Sequence, residues 1–278
     1  WIGYIIHHAP APTLMVQPTV ETAKRVSKQR IGPMIEATPA LHTRVKEPRA
    51  RDSGNTIFIK EFPGGVLITT GANSAAGLRS MPIRYLFLDE VDAYPGDVEG
   101  EGDPISLAEK RQSTFPNRKT FIISTPTIKG LSRIERDFLQ SDQRRYFVPC
   151  PNCGNFEWIQ WQNIRWEEGK PYAAKLKCLA CDAFIEERYK TEMLGKGEWR
   201  PTAAGDGRTR GYHLSALYAP MGLGMTWGQC AVEFLETKSD IVRFKTWCNT
   251  VLGETWEERG EGAEPAEILG RAERYAAE

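Results

Sequence analysis

The sequence predicts an open α/β sheet that carries a small metal-binding insert. Short apolar segments alternate with helical patterns along the first half of the chain. Polar residues follow the carboxyl ends of those segments, which is where open α/β sheets bind their ligands. Two Cys-x-x-Cys pairs follow in the second half, with 24 residues between them.

Composition and charge exclude several classes of protein. The chain has 278 residues, enough for about two domains. Its 36 basic and 36 acidic side chains cancel, which excludes a polycation but leaves room for a local basic surface. No apolar run is long enough for a membrane span, and from the first residues we expect no signal peptide. The first residues, beginning at Trp1, have the character of a folded element, so we expect a fragment of a longer protein.

The elements are predicted in chain order from apolar segments and turn residues. Residues 14–17 form a short buried strand, and Thr19 caps the helix that follows. Residues 56–59 and 66–69 form a hairpin, and residues 84–88 and 119–123 form two more buried strands. Helices are predicted over 105–112, at the end of 128–140 and, as a broken pair, over 226–252. Loops are predicted over 92–103 and 200–211.

Residues 85–90, Tyr-Leu-Phe-Leu-Asp-Glu, match the Walker B pattern of P-loop ATPases. A buried strand holds its last residues rigidly at a phosphate site. The first carboxylate, Asp89, then helps to hold Mg²⁺, and the second, Glu90, polarises the attacking water as general base. The same pattern also fits a buried strand that runs into an acidic loop.

Two other segments have related patterns. A strand that ends in Ser124, Thr125 and Pro126 resembles helicase motif III, where hydroxyls contact phosphate. Residues 14–19 resemble helicase motif Ia, which touches the nucleic-acid backbone. Each pattern alone also fits an ordinary strand end or a capped helix. The three patterns in this order are more specific than any one of them.

Arg79, just before the Walker B strand, is a candidate contact to phosphate in the transition state. An ordinary surface arginine explains this residue equally well.

Cys150, Cys153, Cys178 and Cys181 form the two Cys-x-x-Cys pairs. Each pair makes a tight turn that directs two thiolates at one ion, so two pairs complete a closed tetrahedral site for structural Zn²⁺. Gly154 permits the positive φ that such a turn needs. Aromatic residues between the pairs alternate with polar ones as in a small hairpin. A redox dithiol is the alternative, but one pair suffices for that role.

These residues together resemble the large subunit of phage terminases, specifically the GpA type. The resemblance extends from about Leu14 to Glu258. It is carried by the Walker B segment, Gly102-Asp103-Pro104, Ser124-Thr125-Pro126-Thr127, Ile134-Glu135, the cysteine segment, and residues 212–218 and 244–256.

The resemblance implies a RecA-like P-loop NTPase sheet with an inserted four-cysteine zinc ribbon. It implies an ATPase that drives DNA into a capsid and an endonuclease that cuts concatemeric DNA. Asp89 is then the Mg²⁺ residue, Glu90 the catalytic base, and Ser124 and Thr125 the coupling element. The implied cofactors are ATP, Mg²⁺ and structural Zn²⁺. The implied partners are double-stranded DNA, a small terminase subunit, a portal protein and further copies of the chain, in the host cytoplasm without a membrane.

We expect four segments on this basis. Residues 1–147 form the ATPase core, 148–190 the zinc ribbon, 191–260 a helical C-terminal part of the ATPase region, and 261–278 a linker toward a nuclease domain. No Gly-x-x-x-x-Gly-Lys-Ser/Thr motif occurs in the sequence. We therefore expect the Walker A strand and the nuclease domain to be missing, and this chain alone to be inactive.

Two alternatives remain open at the level of sequence. The first is a helicase-like, nucleic-acid-dependent ATPase with a zinc ribbon, although residues 207–210 are a poor substitute for a motif VI arginine pair. The second is a DNA-binding or scaffold protein without catalysis. The intact Asp89-Glu90 pair disfavours this second alternative, whereas the absent phosphate loop favours it.

Overall fold

The computed structural model describes residues 1–45 and 55–258. They form two compact units, which divide between Pro126 and Thr127. This division does not coincide with the predicted boundaries at 147 and 190. The predicted linker over 261–278 lies outside the described residues. Within the described ranges, no helix has the length and apolar character needed to cross a bilayer.

The first unit is built on a five-stranded sheet with the strand order β2-β3-β1-β4-β5. Its strands are β1 (Thr13–Gln17), β2 (Ile59–Phe62), β3 (Gly65–Gly71), β4 (Tyr85–Asp89) and β5 (Lys119–Ile123). Strands β3, β1, β4 and β5 are parallel, and β2 pairs antiparallel with β3. The predicted hairpin is therefore present, but its first strand begins at Ile59 and not at residue 56.

The α-helices among the described residues of this unit are α1 (Ile2–His8), α2 (Val20–Val26), α3 (Gly32–Ala37), α4 (Pro39–His42), α5 (Ala75–Leu78) and α6 (Pro104–Glu109). The predicted cap is confirmed, since the Thr19 side chain accepts a hydrogen bond from the backbone N–H of Thr22. The central strands are apolar over most of their length, and Leu14, Leu86 and Leu88 are at most 1% exposed. This burial fixes the strands that carry the polar residues at their ends.

Strand β5 has the predicted bounds, but the prediction that it is buried is wrong. Phe121 and Ile123 are 43% and 49% exposed. The reason is its position, because β5 is the last strand of the described sheet and pairs only with β4. Apolar composition reports β-propensity and does not distinguish an edge strand from a central one.

The second unit combines short strands with helices. Its strands are β6 (Arg144–Pro149), β7 (Phe156–Trp158), β8 (Ile164–Arg165), β9 (Lys175–Lys177), β10 (Phe184–Ile185), β11 (Glu198–Arg200) and β12 (Tyr212–His213). Its helices are α7 (Arg133–Gln140), α8 (Lys190–Gly195), α9 (Trp227–Thr237) and α10 (Ile241–Trp247), and a π-helical turn, Cys248–Leu252, continues α10. The predicted pair of helices over 226–252 is confirmed.

The cysteine segment shares its core with the helices that follow it. Cys150 and Cys178 belong to the same buried cluster as Trp227, Cys230 and Trp247. The aromatic residues between the cysteine pairs do not form the predicted hairpin. β7 pairs with β6 instead, and β8 pairs with β9. The segment is therefore part of a larger packed unit, because its own short strands cannot enclose a core.

Candidate functional site

The carboxyl ends of four parallel strands meet at one edge of the first sheet. β1 ends at Gln17, β4 at Asp89 and β5 at Ile123, and Asp89 lies directly opposite Ile123 in the strand register. Glu90 and Ser124 therefore follow neighbouring strand ends. The sheet brings together the two acidic and the two hydroxyl residues that the sequence singled out, as the α/β topology predicts.

Asp89 is fixed by a residue that the sequence analysis did not single out. The side-chain amide of Gln17 donates a 2.8 Å hydrogen bond to Oδ2 of Asp89. Gln17 is 2% exposed, so this bond forms where water competes little. A glutamine at the end of an otherwise apolar strand was the available signal, since a buried amide needs a polar partner.

Glu90 has an unusual backbone conformation. Its φ of 58° and ψ of 50° lie in the left-handed region, which a non-glycine residue seldom adopts. The backbone N–H of Glu90 donates to the carbonyl of Ile123 over 2.8 Å, and this bond holds the turn against β5. The carboxylate is exposed, and its Oε2 lies 3.5 Å from the backbone nitrogen of Thr125, which donates to it.

The segments after β4 and β5 are also joined through Ser124. The backbone N–H of Asp92 donates to the Ser124 hydroxyl over 3.2 Å, and that hydroxyl donates to the Thr125 carbonyl over 3.2 Å. On the other side, the Tyr94 hydroxyl donates to the carbonyl of Val16 over 2.8 Å. The loop after Glu90 is thus attached to both neighbouring strands.

Arg79 lies at the end of α5 and pairs with Glu101 at 2.9 Å. Its side chain is half exposed. Within residues 1–45 and 55–258, no hydrogen bond or ion pair joins Arg79 to the four residues at the sheet edge. Its role in contacting phosphate remains a prediction.

The four paired cysteines of the second unit come together. Their sulfur atoms all lie within 4.8 Å of one another. The Cys150–Cys181 sulfurs are 3.9 Å apart and the Cys153–Cys178 sulfurs 3.8 Å apart. A tetrahedron with metal–sulfur bonds of about 2.3 Å has edges of about 3.8 Å. The donor atoms therefore fit one tetrahedral metal ion.

The two turns that carry the cysteines have the same construction. The backbone N–H of Cys150 donates to the carbonyl of Asn155, and that of Cys178 donates to Ala183, over 2.8 and 3.0 Å. Gly154 takes the predicted positive φ, 74°, and Asp182 occupies the equivalent position of the second turn at 57°. Aspartate is among the residues that best tolerate this conformation.

Hydrogen bonds to sulfur favour a thiolate at one of these positions. The backbone N–H of Ala183 and the amide of Asn152 lower the pKa of the Cys181 thiol to about 7. Burial raises the pKa of Cys150 and Cys178. Asn152 also donates from its backbone to the Cys150 sulfur over 3.4 Å, so it contacts both turns. Ligand atoms that also accept hydrogen bonds from neighbouring groups are typical of structural metal sites.

Two family models match successive parts of the chain. The model described as phage terminase large subunit gpA, ATPase domain, matches residues 1–199. This chain belongs to that family. A second model, for the endonuclease domain of terminase large subunit gpA, matches residues 209–278. This match begins within residues 191–260, which the sequence analysis assigned to the ATPase region.

Curated terminase relatives extend over nearly all of the chain. The terminase large subunit of Enterobacteria phage P21 is 29% identical over 300 residues, and that of Escherichia phage lambda is 28% identical over 302. Each match covers 99% of this chain but 46% of the relative. The chain thus spans about half the length of these relatives.

Two solved structures of the large terminase ATPase domain of Thermus phage P74-26 also resemble this terminase chain. One is 17% identical with a TM-score of 0.33 and covers 50% of this chain and 56% of the other. The second, a variant of the same domain, is 14% identical with a TM-score of 0.46 and covers 91% and 80%.

Proposed function

We propose that this chain contributes the ATPase part of a phage enzyme that pumps double-stranded DNA into a capsid. The observation that carries the proposal is the meeting of Asp89 and Glu90 with Ser124 and Thr125 at one sheet edge. The match of residues 1–199 to the gpA ATPase domain supports it. The order of β1, β4 and β5 in the sheet supports a RecA-like P-loop arrangement.

In this proposal, Asp89 and Glu90 have different tasks. Asp89 holds the cation of Mg-ATP, and Gln17 orients its carboxylate through their 2.8 Å bond. Bound Mg²⁺ neutralises charge that develops on the phosphates. Glu90, which is exposed at the strand end, orients the attacking water and accepts its proton. The left-handed turn directs Glu90 away from the continuation of β4.

Ser124 and Thr125 couple this site to movement of the rest of the protein. Thr125 donates to the Glu90 carboxylate, and Ser124 accepts from the loop that follows Glu90. A change in the contacts of Glu90 during turnover is therefore transmitted directly to the segment after β5. Arg79 remains a candidate phosphate contact, for which it would have to leave its pair with Glu101.

The cysteine site is proposed to hold a structural Zn²⁺ ion. The four sulfurs fit a tetrahedron and leave no position open for a substrate, so the ion organises the fold and does not catalyse. The ribbon shares its core with α9 and α10, so zinc binding supports the packing of the whole second unit.

The remaining assignments follow from the family. We propose that the complete gene product also cleaves concatemeric DNA, consistent with the match of residues 209–278 to the endonuclease model. We propose a small terminase subunit, a portal protein and further copies of the chain as its partners, and the host cytoplasm as its location.

The test is ATP turnover by the complete gene product and by its Glu90→Gln variant. We expect turnover to fall by at least about 100-fold while ATP binding persists, because the variant lacks only the base. Glu61→Gln is the matched control, since it removes one exposed carboxylate from β2. This strand is the outermost strand on the side of the sheet away from β5. Undiminished turnover in Glu90→Gln would show that the assignment is wrong.

A further inference from the structure

Residues 205–210 form a loop whose conformation is set by Asp206. Oδ1 of Asp206 accepts from the backbone N–H groups of Arg208 and Thr209 over 2.8 and 2.6 Å. Oδ2 accepts from the Thr209 hydroxyl over 2.7 Å. The backbone N–H of Thr209, its hydroxyl and the N–H of Arg208 lower the pKa of Asp206 to about 2. The carboxylate is thus charged at neutral pH, and its hydrogen bonds come from residues of the same loop.

The carboxyl-terminal end of the same loop is attached to Asp142. The backbone N–H of Gly211 donates to Oδ1 of Asp142 over 3.2 Å, and the N–H of Asp142 donates to the Thr209 carbonyl over 3.3 Å. Gly205 has φ of 60°, and a Cβ there would lie 2.6 Å from the Asp142 nitrogen. A glycine is therefore required where the backbone of the loop passes Asp142 this closely.

The loop presents two arginines, Arg208 and Arg210, and both are exposed. In the described part of the chain, neither guanidinium has an ion pair, a hydrogen bond or a ring contact. Neighbouring arginines differ in this respect, since Arg144 pairs with Asp142 at 2.8 Å and Arg200 with Glu198 at 2.6 Å. The loop carries these two arginines and a single carboxylate, Asp206, so its own charge is positive on a chain with no formal net charge.

We propose that Arg208 and Arg210 bind the phosphate backbone of double-stranded DNA. The inference rests on the proposed function, which supplies DNA as the substrate, and it identifies where the chain contacts it. Guanidinium groups suit phosphate because their N–H groups bind it in a bidentate way. A loop that is already ordered loses little conformational entropy on binding. The contact reads charge and not sequence, as a translocating enzyme requires.

The experiment measures how the affinity of the complete gene product for a short duplex of random sequence depends on salt concentration. Each phosphate contact contributes about 0.9 to the slope of log K against log salt. We expect the double variant Arg208→Ala/Arg210→Ala to have a slope shallower by about 2 and the variant Arg208→Lys/Arg210→Lys to keep the original slope. Lys238→Ala/Arg243→Ala is the matched control, because it removes two exposed cations from the same unit.

The outcomes separate this inference from the proposed function. If the unaltered protein binds DNA and the Arg208→Ala/Arg210→Ala slope is unchanged, the loop is not the contact. An equal loss of slope in the control would also overturn the inference, since it would show a general charge effect. If the unaltered protein hydrolyses ATP but binds no DNA, the proposed packaging function fails. Thermal unfolding of each variant verifies that the fold is retained.

Discussion

Gln17 and Asp89 lie 72 positions apart in sequence, yet the Gln17 side-chain amide donates a 2.8 Å hydrogen bond to the Asp89 carboxylate. The bond joins the ends of two neighbouring parallel strands. The other carboxylate oxygen of Asp89, Oδ1, takes no part in this bond. A carboxylate held in this way is oriented before any ligand arrives, which reduces the entropy cost of cation binding.

This relationship predicts the effect of Gln17→Leu. Loss of a hydrogen bond to a ligating carboxylate weakens metal binding by about 10- to 100-fold. We therefore expect the Mg²⁺ concentration for half-maximal ATP turnover by the complete gene product to rise by that factor. Gln112→Leu is the control, because Gln112 is also a buried amide of the first unit but bonds to Arg84, Lys119 and Thr120. An unchanged Mg²⁺ dependence in Gln17→Leu would contradict the proposed role.

The left-handed conformation of Glu90 predicts an inverted order of stability for two variants. A Cβ in this region costs about 1–2 kcal/mol, whereas glycine adopts it freely. Glu90→Gly should therefore be more stable to urea than Glu90→Ala by about 1 kcal/mol. At Glu36, which is exposed in α3, the order should reverse, because alanine favours helix by about 1 kcal/mol over glycine. If the alanine variant were the more stable one at both Glu90 and Glu36, the turn at Glu90 would be unstrained.

The cysteine geometry predicts one tightly bound metal ion per chain. Elemental analysis of protein purified without added metal should find about one zinc ion, and Cys153→Ser should lose it. The loss should also lower the melting temperature of the second unit, because Cys150 and Cys178 belong to its core. Cys248→Ser should retain the metal, since this thiol lies outside the cluster. Zinc retained by Cys153→Ser would exclude a four-cysteine site.

A buried ion pair in the second unit predicts a large loss of stability. Lys190 is fully buried, pairs with Glu187 and lies 5.3 Å from the centre of the Trp227 ring. Lys190→Met leaves the Glu187 carboxylate without its cation, which should cost about 3–5 kcal/mol. Lys196→Met breaks the exposed pair with Glu192 and should cost less than about 1 kcal/mol. Urea unfolding measures both, and similar losses would contradict the argument.

The second unit should lose stability in mild acid because of His213. Burial, followed by the charge of Arg145, lowers the pKa of His213 to about 4 from its ordinary value of 6.5. Between these values the unfolded chain binds a proton that the folded chain does not, so this contribution to stability is full above pH 6.5 and falls toward pH 4.

At about pH 5, this imidazole accounts for about 2 kcal/mol of lost stability as an upper limit. His213→Gln should therefore lose less stability than the unaltered protein between about pH 7 and pH 5, as measured by urea unfolding. Glutamine retains a donor for the Gly253 carbonyl, to which the imidazole now bonds. His42→Gln, which removes an exposed imidazole from the first unit, is the matched control. Equal pH dependence in His213→Gln would show that this imidazole does not titrate in that range.

The order of the motifs and the residue types that carry the chemistry were readable from the amino-acid sequence. Apolar runs that end in Asp89-Glu90 and Ser124-Thr125 indicated strand ends, and two Cys-x-x-Cys pairs indicated a metal site. These features were predictable because strand periodicity, turn chemistry and ligand spacing are local properties of the chain.

Which of these residues meet, and how they are held, depends on the three-dimensional fold. The bond from Gln17 to Asp89 and the left-handed turn at Glu90 depend on the position of each strand in the sheet. The exposure of β5 depends on that position too, and the shared core of the cysteine segment depends on α9 and α10. Such features arise from contacts between residues far apart in the chain, which local propensities and periodicity do not encode.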